Sequence, residues 1–522
     1  MRRSNDPTGR GGGGSDVHPS GRHQHRADQT SAAKRKHTFV DPLIAILVVT
    51  ATLLLLLTIE TPVAYALAVA GAFGLFLLHD WQYVGTVLGS APFDETFVFT
   101  LTVIPTFIMI GVFAVHGGIA SQVYKISNHL FRKVPGGLGA ATVMACAGFA
   151  AVTGSSVATS ATMARLSIGE MTRYGYPKSF SSGLVAISGT LGVMIPPSVI
   201  LVFYSVMTGE STAAMLAAGV IPGLLSAIAY MTYVFFVAKR LNLGASNTGP
   251  PDAVAATAAG VRGASVRLSE SGGSEADLVE SLVAIDEKEI REAQAPTERL
   301  RDLPWRGLIK ILIIAAIVFG GIYSGIFTAT ESGAIGAIAA FLMMLLEARS
   351  QGFGEIWKNV RSGLLETAST TSMIFSIIVG SSVLSAFLIT SRAPNMLADY
   401  VSELDIPPYV ILLIFLAILV PMGMGLESIS ILVIAMPLMY PVVMDLGYDG
   451  VWFGILVVKL IEVGLVSPPV GLSCYVVSGT AGVRVETVFK GVLPFLLVDV
   501  VIIAILFAFP EITLWLPNLI QH

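Results

Sequence analysis

At 522 residues the chain is long enough for two or three soluble domains, but 54% of its residues are hydrophobic and only 13% charged, against roughly 25% charged in an ordinary soluble protein. A mean hydropathy of +0.76, with many apolar stretches of about 18–25 residues, makes it a polytopic membrane protein, because that length crosses a hydrocarbon core of roughly 30 Å. The net charge of −4 argues against a nucleic-acid partner, and the two cysteines, Cys146 and Cys474, lie inside apolar segments and support neither a disulfide framework nor a cysteine metal site.

Residues 1–38 are rich in Gly, Ser and charge and read as a disordered N-terminal tail. Its four histidines, His18, His23, His25 and His37, form no ligand pattern. Apolar spans follow at about 42–59, 62–79 and 97–116, then a mixed stretch at 117–135. Residues 136–172 place two short apolar arms around the polar run Thr153 to Thr162, which predicts a re-entrant hairpin. Irregular backbone at membrane depth survives only where protein or a wet cavity lines it. Further spans are predicted at 181–208, interrupted by Pro196-Pro197, and at 212–238.

Residues 241–305 form a polar cytoplasmic insert with eleven acidic and six basic residues; Leu278 to Ala293 has the pattern of a short helix. The membrane pattern resumes at about 307–325, 328–347 and 367–390, followed by a mixed stretch at 391–407. A second hairpin is predicted at 408–444, broken at Met422 to Ser428, and the last spans at 450–480, broken at Pro468-Pro469, and at 485–512. The first membrane repeat thus occupies 39–240 and the second 306–522.

The two halves match at a constant offset. Gly175-Tyr176 aligns with Gly447-Tyr448, Gly192 with Gly464, Pro196-Pro197 with Pro468-Pro469, Gly219 with Gly491 and Pro222 with Pro494, always 272 apart (447 − 175, 494 − 222). Five crossings and one returning hairpin per repeat make the second copy inverted, an architecture in which secondary transporters bind substrate and coupling ions near the midplane. Lys125, Arg132, Lys133, Arg173, Lys239, Arg240, Arg349, Lys358, Arg361 and Lys490 collect on one side of this topology, which the positive-inside rule makes cytoplasmic. The same topology leaves Lys34-Arg35-Lys36 outside, against the rule.

The polar run Thr153-Gly154-Ser155-Ser156 with Thr159, Ser160 and Thr162 offers hard oxygen ligands for a small cation such as Na⁺, with Ser/Thr helix packing as the plainer alternative. Its counterpart, Gly423 to Ser428, contains Glu427, a carboxylate between apolar arms that would hold a cation, take a proton or meet substrate, or else sit at the wet mouth of the hairpin. The interrupted spans Ile187 to Ser198 and Ile461 to Gly471 free backbone carbonyls where proline breaks the ladder. Glu462 lies in the second break with Lys459 one turn earlier, so a salt bridge competes with a ligand role. Glu331 reads as a helix-start residue with Thr330 as its cap. His79, His116 and His129 lack metal spacing, and neither a P-loop nor an HExxH motif is present.

GSSVATSAT, SGTLGVMIPPS, TATESGAIGA, the GMGLES tip and VGLVSPPVG together resemble the large membrane subunit of tripartite ATP-independent periplasmic (TRAP) transporters, the DctM-like family, over about 42–512 without the insert. The resemblance implies a multi-pass protein of a bacterial or archaeal cytoplasmic membrane, not an enzyme and without a cofactor. It implies a small four-helix membrane subunit and a periplasmic binding protein as partners, import of an organic acid with a C4-dicarboxylate first among them, a Na⁺ gradient as the drive, and an elevator-type fold. By motif, cation-binding positions are Ser155, Ser156, Ser188, Gly189, Gly192, Gly425, Ser428, Gly464 and Ser467; substrate-binding positions are Thr159, Glu427, Pro196, Pro197, Pro468 and Pro469. Glu427 stands where the family commonly has an acidic residue, often aspartate, and the tail and insert depart from its compact pattern. The rival readings are a stand-alone divalent-anion/sodium symporter of similar fold and, from another class, an ion channel or intramembrane enzyme.

Overall fold

A computed structural model describes residues 40–94, 96–131, 133–240, 304–349, 352–403 and 406–520. The tail expected at 1–38 and all but the last two residues of the 241–305 insert, including its Leu278 to Ala293 segment, lie outside the described residues. Every described element is helical and none is a strand. The first half runs α1 (Pro42–Thr58), α2 (Val63–Leu78), α3 (Trp81–Asp94), α4 (Val103–His116, entered through a 3-10 turn), α5 (Ile119–Phe131), α6 (Gly137–Thr153), α7 (Ser156–Met163), a π-helical turn (Ala164–Ile168), α8 (Gly169–Arg173), α9 (Lys178–Met194), α10 (Val199–Thr208) and α11 (Thr212–Arg240). The second runs α12 (Trp305–Tyr323), α13 (Ala329–Ala348), α14 (Phe353–Thr390), α15 (Ala393–Glu403), α16 (Pro408–Gly425), α17 (Ser428–Asp445), α18 (Gly450–Val466), α19 (Leu472–Ala481), α20 (Val485–Ala508) and α21 (Pro510–Ile520).

Among the described residues, eight helices are long and apolar enough to cross a bilayer, and α9 with α10, bent by 43° at their break, makes a ninth. The eight include α16 and α17, the arms expected to form the second hairpin. Helices α1 and α2, with 17 and 16 residues, rise about 25 Å each.

Several elements differ from the hydropathy reading. The mixed stretches conceal α5 and α15, and nothing anticipated α3. Buried Val123, Tyr124 and Ile126 share α5 with Lys125 and His129, so a one-sided apolar stripe was averaged away by its polar face. Helix α14 is one unbroken run of 38 residues, starting before the apolar span because its first turns carry Glu355, Lys358 and Arg361. The last apolar run divides at Phe509, whose extended backbone ends α20 before Pro510 opens α21. The cap of α13 is Thr328, two residues before the expected Thr330; Glu331 closes a capping box with it, Thr328 Oγ1 accepting from Glu331 N–H and Glu331 Oε2 accepting from Thr328 N–H.

The repeat offset recurs at element boundaries. Ser156 and Ser428 open the second hairpin arms, Lys178 and Gly450 open the next helices, and Met194 and Val466 end them, each pair 272 apart (428 − 156, 450 − 178, 466 − 194). The two halves also interlock: α7 of the first hairpin packs on α19, and α17 of the second packs on α10. Helix α9 lies against α6, α7 and α20, and α16 lies against α18. Each hairpin therefore rests on the broken helix of its own half and on the far arm of the other.

Candidate functional site

The first hairpin turns at Gly154, whose φ of +59° favours glycine. A Cβ there would lie 2.7 Å from the Pro197 carbonyl oxygen, so the tip is pressed onto the first proline break. Ser155 then adopts extended backbone and caps α7, its Oγ accepting from Ala158 N–H at 3.3 Å. Its carbonyl accepts the Thr159 hydroxyl at 2.8 Å, and Thr159 Oγ1 lies 3.0 Å from Thr153 Oγ1. Thr159, expected at the substrate, is fully buried within the turn.

Helix α9 faces this turn with glycines. A Cβ on Gly192 would lie 2.8 Å from the Ser155 carbonyl oxygen, and one on Gly189 would fall on Ser160 Oγ. Ser160 and Ser188 are fully buried and their hydroxyls have no hydrogen-bond partner within the protein. An unsatisfied buried hydroxyl costs about 1–3 kcal/mol, a cost that a water or a hard cation in reach would offset. Gly192 therefore meets the Ser155 carbonyl and Gly189 meets Ser160, with Ser188 the preceding residue of the same helix. Ser160, one of the oxygen ligands offered by the polar run, lies against Gly189.

The second tip is built in parallel. Glu427 occupies the position of Ser155 (427 − 155 = 272) and takes the same capping role, its Oε2 accepting from Ile429 N–H at 3.0 Å and Ser430 N–H at 3.4 Å. Gly423 and Gly464 meet backbone to backbone: a Cβ on Gly464 would lie 2.5 Å from Gly423 Cα. Gly471 N–H donates to the Met424 carbonyl at 3.1 Å, tying the tip to the start of α19. Ser428 and Ser467 are buried, and Ser467 Oγ donates to the Val463 carbonyl at 2.6 Å. Gly425 is exposed, with open space where a side chain would stand.

The breaks differ in exposure. Pro196 and Pro197 are buried and Ser198 is fully so, whereas Pro468, Pro469 and Val470 are exposed. Both Pro-Pro peptide bonds are cis. Of the proline pairs expected at the substrate, only the second borders open space.

Behind the second break lies a cluster that sequence reasoning caught only in part. Lys459 Nζ bonds Glu462 Oε2 at 2.9 Å, the salt bridge anticipated from their spacing, and also Asp499 Oδ1 of α20 at 2.8 Å. Tyr230 of α11 donates its hydroxyl to Asp499 Oδ1 at 2.6 Å and lies 3.3 Å from Lys459 Nζ. All four side chains are fully buried. Asp499 carried a readable signal, a lone carboxylate inside an apolar span; Tyr230 carried none. His116 pairs with Glu366 at 3.3 Å, and no group of three or more His, Cys, Asp or Glu is placed to hold a metal among the described residues. Cys146 and Cys474 are free and buried.

Helical hairpins abutting proline-broken helices inside a many-span bundle are an arrangement met in secondary transporters. The sequence profile of the tripartite ATP-independent periplasmic transporter, DctM component, matches residues 50–512. The chain belongs to this family of cytoplasmic-membrane permeases. It is 32% identical over 426 residues to the C4-dicarboxylate TRAP transporter large permease protein DctM of Pseudomonas aeruginosa, covering 82% of this chain and 88% of that one. It is 30% identical to the sialic acid TRAP transporter large permease protein SiaM of Vibrio cholerae, covering 81% and 87%. Among solved structures, MtrF of Neisseria gonorrhoeae, one of a class of antimetabolite efflux pumps, matches with a TM-score of 0.54 over 87% of this chain and 94% of that one. At 15% identity that match speaks to the fold alone.

Proposed function

We propose that this chain is the large permease of a tripartite importer of an organic acid, with a C4-dicarboxylate as the first candidate, delivered by a periplasmic binding protein and driven by a Na⁺ gradient. A small four-helix membrane subunit completes the complex. The match to the DctM family over 50–512 is the observation that carries this reading. Relatives named for C4-dicarboxylate and for sialic acid support a carboxylate solute, while one named for isethionate, a sulfonate, shows that the family also includes transporters of other organic anions.

The two hairpins act as re-entrant gates of inverted repeats, and the unit they form with α9, α10, α18 and α19 moves as an elevator. Na⁺ is cargo and drive at once. One site uses the Ser155 carbonyl with Ser156, Ser160, Ser188 and the gap left by Gly189 and Gly192; the other uses Gly425 to Ser428 with Gly464 to Ser467. The solute would sit between the tips, beside the exposed Pro468 and Pro469 and the half-buried Glu427.

Proteoliposomes holding this chain and its small subunit test the reading. Radiolabelled succinate and other organic acids would be offered on the binding protein, with and without an inward Na⁺ gradient. Uptake requiring both binding protein and Na⁺ is the expected result. Uptake by this chain alone would make it a self-sufficient symporter, and solute-independent current would make it a channel.

A further inference from the structure

We propose that the buried cluster of Lys459, Glu462, Asp499 and Tyr230 is a fixed electrostatic element that sets the affinity of the neighbouring Na⁺ site. The inference rests on the Na⁺-coupled reading above. One ammonium faces two carboxylates, Glu462 Oε2 at 2.9 Å and Asp499 Oδ1 at 2.8 Å, all with 0% side-chain exposure. With both carboxylates ionised, the cluster carries one negative charge in excess. Glu462 Oε1 and Asp499 Oδ2 are buried with no hydrogen-bond partner within the protein. The helices packed on α18 hold other charged side chains only near their ends: Lys178 on α9, Lys239 and Arg240 on α11, Asp445 on α17, Glu486 and Lys490 on α20, and Glu511 on α21. Nothing adjacent offsets the excess.

An unoffset buried charge is costly in isolation and is relieved by a cation in reach. Helix α18 supplies both parts. Glu462 sits two residues and Lys459 five residues before Gly464, where the stretch to Ser467 begins at which the second tip meets the break. As a scale, one unit charge about 10 Å from a monovalent cation changes its affinity roughly tenfold at an effective dielectric of about 20. The lysine fixes the position of both carboxylates, and Tyr230 ties Asp499 to the last helix of the first half.

Isosteric substitutions separate charge from packing. The purified full chain would be titrated with NaCl against choline chloride at constant ionic strength, reading the Na⁺-dependent rise in thermal stability, and the Na⁺ half-saturation of solute uptake would be measured in the complete complex. Asp499→Asn and Glu462→Gln are each expected to raise the Na⁺ half-saturation about tenfold, with maximal uptake within about twofold of the parent at saturating Na⁺. Tyr230→Phe, which removes the 2.6 Å hydrogen bond and no charge, is expected to leave it unchanged. So is the paired Lys459→Met/Asp499→Asn variant, which keeps one excess negative charge and decides the matter if a single variant fails to fold. A parent chain with no response to Na⁺ would overturn the Na⁺-coupled reading itself. A parent that responds, with half-saturation unmoved in the single variants or moved tenfold in the paired one, would overturn this inference alone.

Discussion

At the scale of single residues, the tips and breaks meet through glycines whose tolerance differs sharply. A methyl on Gly464 has Gly423 Cα at 2.5 Å and Gly423 C at 2.8 Å in its way, backbone on both counts. Nothing flexible can yield, so Gly464→Ala must pry the second tip from its broken helix. Gly425, the last residue of α16 and facing open space, accepts a methyl without strain. Gly464→Ala is expected to cut uptake at least tenfold and Gly425→Ala to keep it within about threefold. Equal losses would mean that the Gly425 backbone needs conformations that alanine resists during transport. The sequence made these positions legible as a set, because Gly192 and Gly464 share an offset with the proline pairs. It did not rank them, because close approach depends on which backbone lies opposite. The Lys459–Glu462 bridge was readable from i, i+3 spacing, but the second carboxylate and the tyrosine came from helices some 40 and 230 positions away (499 − 459, 459 − 230).

At the scale of elements, hydropathy located the spans and missed whatever had two faces. Helices α5 and α15 were hidden because burial on one side and charge on the other average to an unremarkable window. The polar first turns of α14 were hidden in the same way. Caps were readable only to within a residue or two. Thr328 and Thr330 both precede the apolar run of α13, and the choice fell to Thr328 because it alone stands three residues before Glu331, the spacing a reciprocal box needs. Thr328→Ala removes the hydroxyl that accepts the Glu331 N–H and donates to Glu331 Oε2 at 2.9 Å. A loss of about 1 kcal/mol in stability is expected, read as a lower unfolding midpoint, with Na⁺ half-saturation unchanged. Thr330→Ala is the control and should move neither quantity.

At the scale of the whole molecule, the two halves are alike in sequence register and unlike in exposure. Val470 and Ser198 are equivalent positions (470 − 198 = 272), yet Val470 is 45% exposed and Ser198 is fully buried. In an inverted pair of repeats, equivalent positions exchange environments as the transporter passes from one open state to the other, because each half then takes the conformation of its counterpart. On the proposed reading of the halves as inverted repeats, the asymmetry of the breaks marks which state is adopted. Helix α19 leads from Val470 toward Arg484 and Lys490, which the topology expected from the basic residues puts on the cytoplasmic side; on that topology the open break faces inward. With Cys146 and Cys474 replaced by serine, a cysteine at Val470 is expected to react with a membrane-impermeant maleimide from the cytoplasmic face, and a cysteine at Ser198 to stay protected. Conditions that favour the outward state, with Na⁺ and loaded binding protein present outside, should slow labelling at position 470 and expose position 198 to the periplasmic face. Labelling at 470 from the periplasmic face would invert the topology drawn from the basic residues. Reactivity at both positions unaltered by any condition would mean that the two breaks are fixed in place and that the repeats do not exchange roles.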